Sequence, residues 1–158
     1  MREVVFRGKP KDETQYYFFS QIWKDNCVDG FACGSLVVDK GRCFIAVSAL
    51  CSIKSCINNG MISMIEVIPE TVGQYIGQND KNHKKVFEGD ILYHKPKYSL
   101  RTEKYYIFSE DSSFYYRDPT KEYGTPIDDS EFGLNVSHYK VIGNVHNNPE
   151  MLNKEAKE

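Results

Sequence analysis

Short runs of apolar side chains alternate with clusters of polar residues along the whole chain. Most runs are brief and rich in β-branched or aromatic residues, a pattern that predicts β-strands. In the first half, the runs that we interpret as strands are Glu3–Arg7, Phe31–Val38, Arg42–Val47 and Met61–Ile68. Asp39, Lys40 and Gly41 separate two of these runs and predict a hairpin turn between them.

One segment of the first half has helical spacing instead. Apolar side chains recur at three- to four-residue intervals from Ala46 to Ile57, and the polar residues Asn58–Gly60 form a suitable helix stop. We therefore predict a helix near residues 46–57. The aromatic run Gln15–Trp23 fits either a strand or a helix, and its periodicity does not decide between them.

The second half predicts a β meander that ends in a short helix. Its strand candidates are separated by Asn, Asp, Gly and Pro clusters, which favour turns. They are Val72–Ile76, Val86–Phe87, Ile91–His94, Lys104–Ser109, Phe114–Arg117 and Tyr139–Val145. Asn148 then precedes Pro149 and Glu150, and this order predicts a helix that begins at Pro149.

The composition agrees with a mainly β fold that has minor α content. Val and Ile total 24 residues, Ala and Leu total 10, and 21 residues are aromatic. The length of 158 residues suits one ordinary domain or two small ones. We predict a β-rich segment at 1–68 that contains the helix, a compact barrel-like part at 69–148 and a terminal helix and tail at 149–158. Whether these parts form one continuous domain stays open.

Charge is distributed unevenly, although the net charge is only −2. Seven cations face three anions from Lys81 to Lys104, whereas seven anions face two cations from Glu110 to Glu131. One interpretation is that neighbouring strands carry opposite charges and neutralise one another across a hairpin. The near-neutral total also weakens the case for a nucleic-acid binder, because such affinity depends on Lys and Arg.

Features that the sequence lacks lead to expectations about the cellular location of the protein and about the state of its cysteines. Met1–Gly8 has no apolar region of the length that a secretory signal needs, and no uncharged run approaches the ~20 apolar residues of a membrane span. We expect a soluble, cytoplasmic protein without a membrane partner. Its cysteines are Cys27, Cys33, Cys43, Cys51 and Cys56. Because their number is odd and no Cys-x-x-Cys pair occurs, we expect free thiols, no structural zinc and no cofactor.

A compact acidic cluster, Asp80, Glu88 and Asp90, is the candidate for metal chemistry. Carboxylates at such spacing can hold Mg²⁺ for phosphoryl transfer, with Lys84 and Lys85 as nearby cations. The same residues are typical of turns, and that interpretation explains the cluster without a metal. The sequence contains no phosphate-binding loop and no dinucleotide fingerprint, so nucleotide-dependent enzymes are disfavoured.

Cations and aromatic residues interleave at the end of the cationic stretch Lys81–Lys104. The candidate contacts to a nucleic acid or another partner are Lys95, Lys97, Tyr98, Arg101, Lys104 and Tyr106, with Tyr105 between the last two. Such a composition can contact phosphates and stack on bases. A solvated hairpin whose tyrosines cover one face of a sheet explains the same residues without any ligand.

Three stretches of the chain stand out together: Met1–Lys9, the central motif Pro69–Leu92, which includes PETVGQYIG, NDKN and KVFEGDIL, and the closing Tyr139–Leu152, YKVIGNVHNNPEML. In their order and rough spacing they resemble the YopX family of phage and prophage proteins. The resemblance implies a small β-rich fold with a compact, SH3-like barrel in the second half, and it implies no activity. Residues 12–30 exceed the usual family link in length, and residues 93–138 match no family pattern.

We therefore predict a prophage-encoded, non-enzymatic binding or accessory module whose partner is a host or phage protein or a nucleic acid. The first alternative is a metal-dependent phosphodiesterase or nuclease centred on Asp80, Glu88 and Asp90. The second is a homo-oligomeric structural component, because exposed strand edges can pair between copies.

Overall fold

The computed structural model describes residues 4–12, 14, 27–49, 61–99, 101–127 and 134–152. Within these residues the protein is mainly β and its sheets are antiparallel, which confirms the predicted fold class. The chain forms two compact units, unit 1 at Met1–Gln74 and unit 2 at Tyr75–Glu158. No helix among the described residues combines the length and the apolar character that a membrane span needs.

The strands of the described residues are β1 (Phe6–Gly8), β2 (Cys27–Val28), β3 (Phe31–Asp39), β4 (Arg42–Ala49), β5 (Met61–Val67), β6 (Gly73–Asn79), β7 (Lys85–Phe87), β8 (Asp90–His94), β9 (Glu103–Glu110), β10 (Ser113–Arg117), β11 (Thr125–Pro126) and β12 (Lys140–Asn144). Short 3-10 helices lie at Pro69–Thr71, Val136–His138 and Pro149–Leu152. The sequence predicted β6–β10, β12 and the helix at Pro149. Strands β2 and β11 were missed, because two-residue strands carry no periodicity.

The prediction of a helix that begins at Ala46 is wrong. Residues 46–49 continue β4, in which Ala46 pairs with Met64 and Ala49 pairs with Met61. The ladder of hydrogen bonds to β5 therefore outweighs the helical spacing of a few apolar residues, as tertiary pairing often does. Residues 50–57, the rest of that predicted helix, and the aromatic run Gln15–Trp23 lie outside the described residues.

Unit 1 is an antiparallel sheet in the order β5-β4-β3-β1, with the first residues of β6 beside β1 and with β2 paired to β3. The β3–β4 hairpin turns at Lys40 and Gly41, as predicted. Its core consists of small and β-branched side chains from β3, β4 and β5. They are Ala32, Ile45, Val47, Ile65 and Val67, each at most 1% exposed.

Glu66 lies on the exposed side of this sheet and binds two cations. The Lys11 ammonium is 2.8 Å from its Oε1, and the Arg42 guanidinium donates to both carboxylate oxygens. The hydrogen bond from Arg42, followed by that from Lys11, lowers the pKa of Glu66 from 4.5 to about 2. These two ion pairs join β5, which carries Glu66, to β4 and to the segment that follows β1.

Because the folded-state pKa of Glu66 is depressed, its contribution to stability is complete above its ordinary pKa and disappears as the pH falls towards about 2. We therefore expect Glu66→Gln to destabilise the protein at about pH 6 and to have little effect at about pH 2. Urea unfolding at both pH values measures this. Glu70→Gln, at another exposed carboxylate, serves as the control. An equal destabilisation by Glu66→Gln at both pH values would contradict the expectation.

Unit 2 contains the remainder of β6, paired with β7, and a five-stranded sheet in the order β11-β10-β9-β8-β12. Strands β8, β9 and β10 are neighbours in both sequence and space, so the predicted meander is confirmed. Strand β12 returns beside β8 with an irregularity between Val141 and Gly143. The buried core consists of Ile76, Val86, Leu92, Ile107, Leu134, Val136 and Tyr139.

Candidate functional site

The loop between β8 and β9, described at residues 95–99 and 101–102, is held by two local hydrogen bonds. The carbonyl of Pro96 accepts from the amide of Ser99 at 3.2 Å, which closes a turn with Lys97 and Tyr98 at its centre. The Ser99 hydroxyl accepts from the amide of Arg101 at 3.0 Å. Turns of this kind limit the conformations of the backbone, so the loop presents its side chains in a defined arrangement.

The side chains of this loop are cationic and one is aromatic; we call Lys95, Lys97, Tyr98 and Arg101 the cationic loop. All four are exposed, and Tyr98 is 93% exposed. The Lys97 ammonium lies 5.6 Å from the centre of the Tyr98 ring, within the range of a cation–π interaction. The salt bridges of Glu66 with Lys11 and Arg42 involve none of these three cations. The charges of Lys95, Lys97 and Arg101 lie on exposed side chains.

The other predicted contacts, Lys104 and Tyr106, follow on strand β9. Alternation along a strand places them on one face, with Tyr105 on the opposite face. The Lys104 ammonium donates to the carbonyl of Met151 at 3.4 Å. Tyr105 instead packs in the core against Tyr116 and Tyr139, and burial raises its pKa. The structure thus separates Tyr105 from the other candidates.

Strands β9 and β10 carry a cluster of half-buried rings on the face of Tyr106. This outer aromatic face consists of Tyr106, Phe108, Tyr115 and Arg117. Phe108 stacks on Tyr115 with 5.4 Å between ring centres, and Tyr106 lies 5.8 Å from Phe108. The Arg117 guanidinium is 5.0 Å from the rings of both Tyr106 and Phe108. Sequence reasoning missed three of these residues, because only the strand register places them opposite one another.

The hairpin interpretation of the charge reversal is not what β9 and β10 show. Their cross-strand partners are Glu110 with Ser113, Ser109 with Phe114, Phe108 with Tyr115, Ile107 with Tyr116 and Tyr106 with Arg117. Within this register no cation lies opposite an anion. Two of the five pairs, Phe108 with Tyr115 and Ile107 with Tyr116, are aromatic or apolar and stabilise this hairpin across the strands.

The first candidate metal ligand, Asp80, is used by a turn. Its side chain is 3% exposed, and its Oδ1 accepts from the amides of Asn82 and Lys84 at 2.7 and 2.9 Å. Its Oδ2 accepts from the amide of Val141 at 3.1 Å. Burial raises the pKa of Asp80, but the three amide donors outweigh it and the net pKa is lowered. Asp80 therefore joins the β6–β7 turn to the start of β12.

The other two carboxylates have separate hydrogen-bond partners. Asp90 is buried; its Oδ2 accepts from the amide of Phe87 at 2.9 Å, and its Oδ1 accepts from the side-chain amide of Asn144 at 3.4 Å. Glu88 accepts from the Ser109 hydroxyl at 2.6 Å. Gly89 has a φ of +84°, which agrees with the tight turn predicted between them. No group of three His, Cys, Asp or Glu side chains in the described part of the chain could share a metal ion.

A polar depression of about 370 Å³ lies beside the Asp80 turn. Its lining combines the end of β6 with the turn before β12: Gln78, Asn79, Asp80, Lys81, His83, Asn135 and Ser137. Asn135 uses its side-chain oxygen to accept from the amide and hydroxyl of Ser137. The side chains of Asp80 and Asn135, which line this depression, thus accept hydrogen bonds that stabilise the turns in which they lie.

Comparisons with known proteins give a family and solved structures that resemble this chain. The chain is similar to protein EF1440 from Enterococcus faecalis, with 20% sequence identity and a TM-score of 0.47 over 97% of this chain and 100% of that chain. A search of curated proteins found no match. The family model described as YopX protein matches residues 5–153. Because this match covers nearly the whole chain, the protein belongs to the YopX family, as its three sequence stretches predicted.

Proposed function

We propose that this protein is a prophage-encoded, non-enzymatic binding module that contacts an anionic macromolecular partner through the cationic loop. One observation carries the proposal: three exposed cations without a described salt bridge flank an exposed ring on an ordered turn. Ordering a loop before it binds reduces the entropy lost on association. We propose further that the module acts in the cytoplasm and that unit 2 is an SH3-like barrel.

The hydrogen bonds of the carboxylates support binding over catalysis. A carboxylate that binds Mg²⁺ or transfers a proton must present an oxygen to the metal or substrate. Both side-chain oxygens of Asp80 accept backbone amides, and both oxygens of Asp90 accept nitrogen donors. Each of these two carboxylates therefore stabilises the local fold through its hydrogen bonds. The metal-dependent phosphodiesterase and the homo-oligomer remain predictions, testable by DNA and RNA hydrolysis with Mg²⁺ and by light scattering.

The binding proposal is tested by neutralising the cationic loop. We expect the triple variant Lys95→Gln, Lys97→Gln, Arg101→Gln to bind a labelled polyanion at least about tenfold more weakly at low salt. If these cations contact phosphates, the slope of log affinity against log salt also becomes shallower, by about 2 for a single strand. Fluorescence anisotropy with labelled oligonucleotides and labelled polyglutamate at two salt concentrations measures both quantities.

A matched control separates local contacts from net charge. Lys40→Gln, Lys81→Gln, Lys121→Gln removes the same charge from exposed positions outside the loop. We expect this control to change affinity by about twofold or less, because these three lysines do not belong to the loop that is proposed to contact the partner. Equal losses in the two triple variants, or no loss in the loop variant, would contradict the proposal.

A further inference from the structure

We infer that the partner of the cationic loop is a single-stranded nucleic acid and that an unpaired base stacks on Tyr98. This inference rests on the proposed function and specifies the class of ligand. Tyr98 and Tyr123 are the large hydrophobic side chains of unit 2 that are more than two-thirds exposed among the described residues, at 93% and 71%. Of the two, Tyr98 is the ring with cations on both sides of it in the chain.

The environment of the Tyr98 ring leaves room for a base. Its one aromatic-type contact among the described residues is the Lys97 ammonium at 5.6 Å, and no described ring stacks on it. In the outer aromatic face, by contrast, neighbouring rings already contact one another. A base that stacks on an exposed ring contacts its π face, and any of the four bases can do so.

The positive charges beside the Tyr98 ring complement the negative charge of the sugar-phosphate backbone to which a stacked base is attached. Lys95 and Lys97 precede the ring at the turn, and Arg101 follows it after the Ser99 bond. A nucleotide that stacks on Tyr98 has phosphates on either side, and these cations are the groups that would contact them. Arg101 can also bind a phosphate with two parallel hydrogen bonds.

Single strands fit this arrangement better than the other polyanions. In a duplex the bases are stacked on one another, so an aromatic side chain reaches a base face only where strands are unpaired. A membrane surface would favour several large apolar side chains for insertion, whereas Pro96 and Tyr98 are the apolar residues at the described tip. The carboxylates of an acidic protein would bind the cations, but Asp and Glu side chains have no aromatic face that could stack on the ring of Tyr98.

The experiment compares oligo-dT with a duplex of the same length by fluorescence anisotropy. We expect Tyr98→Ala to weaken binding of the single strand by roughly 5- to 100-fold and Tyr98→Phe to change it by about twofold or less. Tyr123→Ala removes another exposed ring of unit 2 and should also stay within about twofold. Circular dichroism of each variant establishes that the fold is retained, and vesicles containing phosphatidylserine test the membrane alternative.

The outcomes distinguish this inference from the proposed function. Preferential single-strand binding that depends on the ring of Tyr98 supports both. Equal binding of single strand and duplex with no effect of Tyr98→Ala overturns the inference and leaves the cationic loop as a general polyanion site. Loop-dependent binding of polyglutamate or of the vesicles, without single-strand binding, overturns the inference alone. Absence of binding to every probe at low salt overturns both.

Discussion

Replacement of Asp80 by alanine is expected to lower the free energy of unfolding by about 3–5 kcal/mol. The carboxylate is 3% exposed and accepts three backbone amides, from Asn82, Lys84 and Val141. A hydrogen bond to a charged group contributes roughly 1.5–3 kcal/mol, and a buried amide left without a partner adds a desolvation cost. The loss would affect two places at once, because Val141 lies on β12, 61 residues from Asp80.

The isosteric variant and a control make this expectation sharper. Asp80→Asn keeps an oxygen for Asn82 and Lys84 but turns an amide group towards Val141, so about half of the loss is expected. Asp118→Asn affects a more exposed turn carboxylate that accepts from the amide and the hydroxyl of Thr120, and should cost less than about 1 kcal/mol. Urea unfolding at neutral pH measures all three. A loss below about 1 kcal/mol for Asp80→Ala would show that these bonds do not stabilise unit 2.

The second large effect is expected at Gly34, where Gly34→Ala should cost about 2–3 kcal/mol. Strand β3 changes partner at this position, because residues 32–34 pair with β1 and residues 35–39 pair with β4. A Cβ atom at Gly34 would lie 2.2 Å from the carbonyl oxygen of Ala46. The obstacle is backbone, so relief requires β3 and β4 to move apart.

Val38→Ala on the same strand is the matched control for Gly34→Ala. Val38 is 61% exposed, and its truncation should cost less than about 1 kcal/mol through strand propensity and lost packing. Thermal and urea unfolding of both variants provide the comparison. Equal stability of Gly34→Ala and the unaltered protein would contradict the close approach of β3 to β4.

Much of the strand pattern could be predicted from local residues. The strands at Ile91–His94 and Phe114–Arg117 combine β-branched or aromatic residues with flanking turn residues, and both signals act within a few positions. The end of β4 could not be predicted in this way. Ala46 and Ala49 have spacing that suits a helix, and their strand conformation depends on pairing with Met64 and Met61. Pairing energy with a distant segment is absent from any local window.

The candidate site likewise contains some residues that could be predicted from the sequence and others that could not. Lys97 and Tyr98 could be singled out by residue type, and the structure adds the turn that presents them. Arg117 could not be connected with Tyr106 before the register of β9 and β10 was known. Tyr105 looked equivalent to Tyr106, but strand alternation sends it into the core.

By itself the sequence determined the mainly β class, the family, most strands of unit 2 and the uneven charge, because composition and short-range patterns express these properties. Only the tertiary structure decided which charged side chains are hydrogen-bonded to other groups of the protein. Asp80 and Asp90 looked like possible metal ligands until distant or buried donors were seen to occupy them. Opposite charges were expected to face one another across a hairpin, but no cation lies opposite an anion in the β9–β10 register. Whether a charge is free to bind depends on neighbours in space, and those neighbours are set by folding.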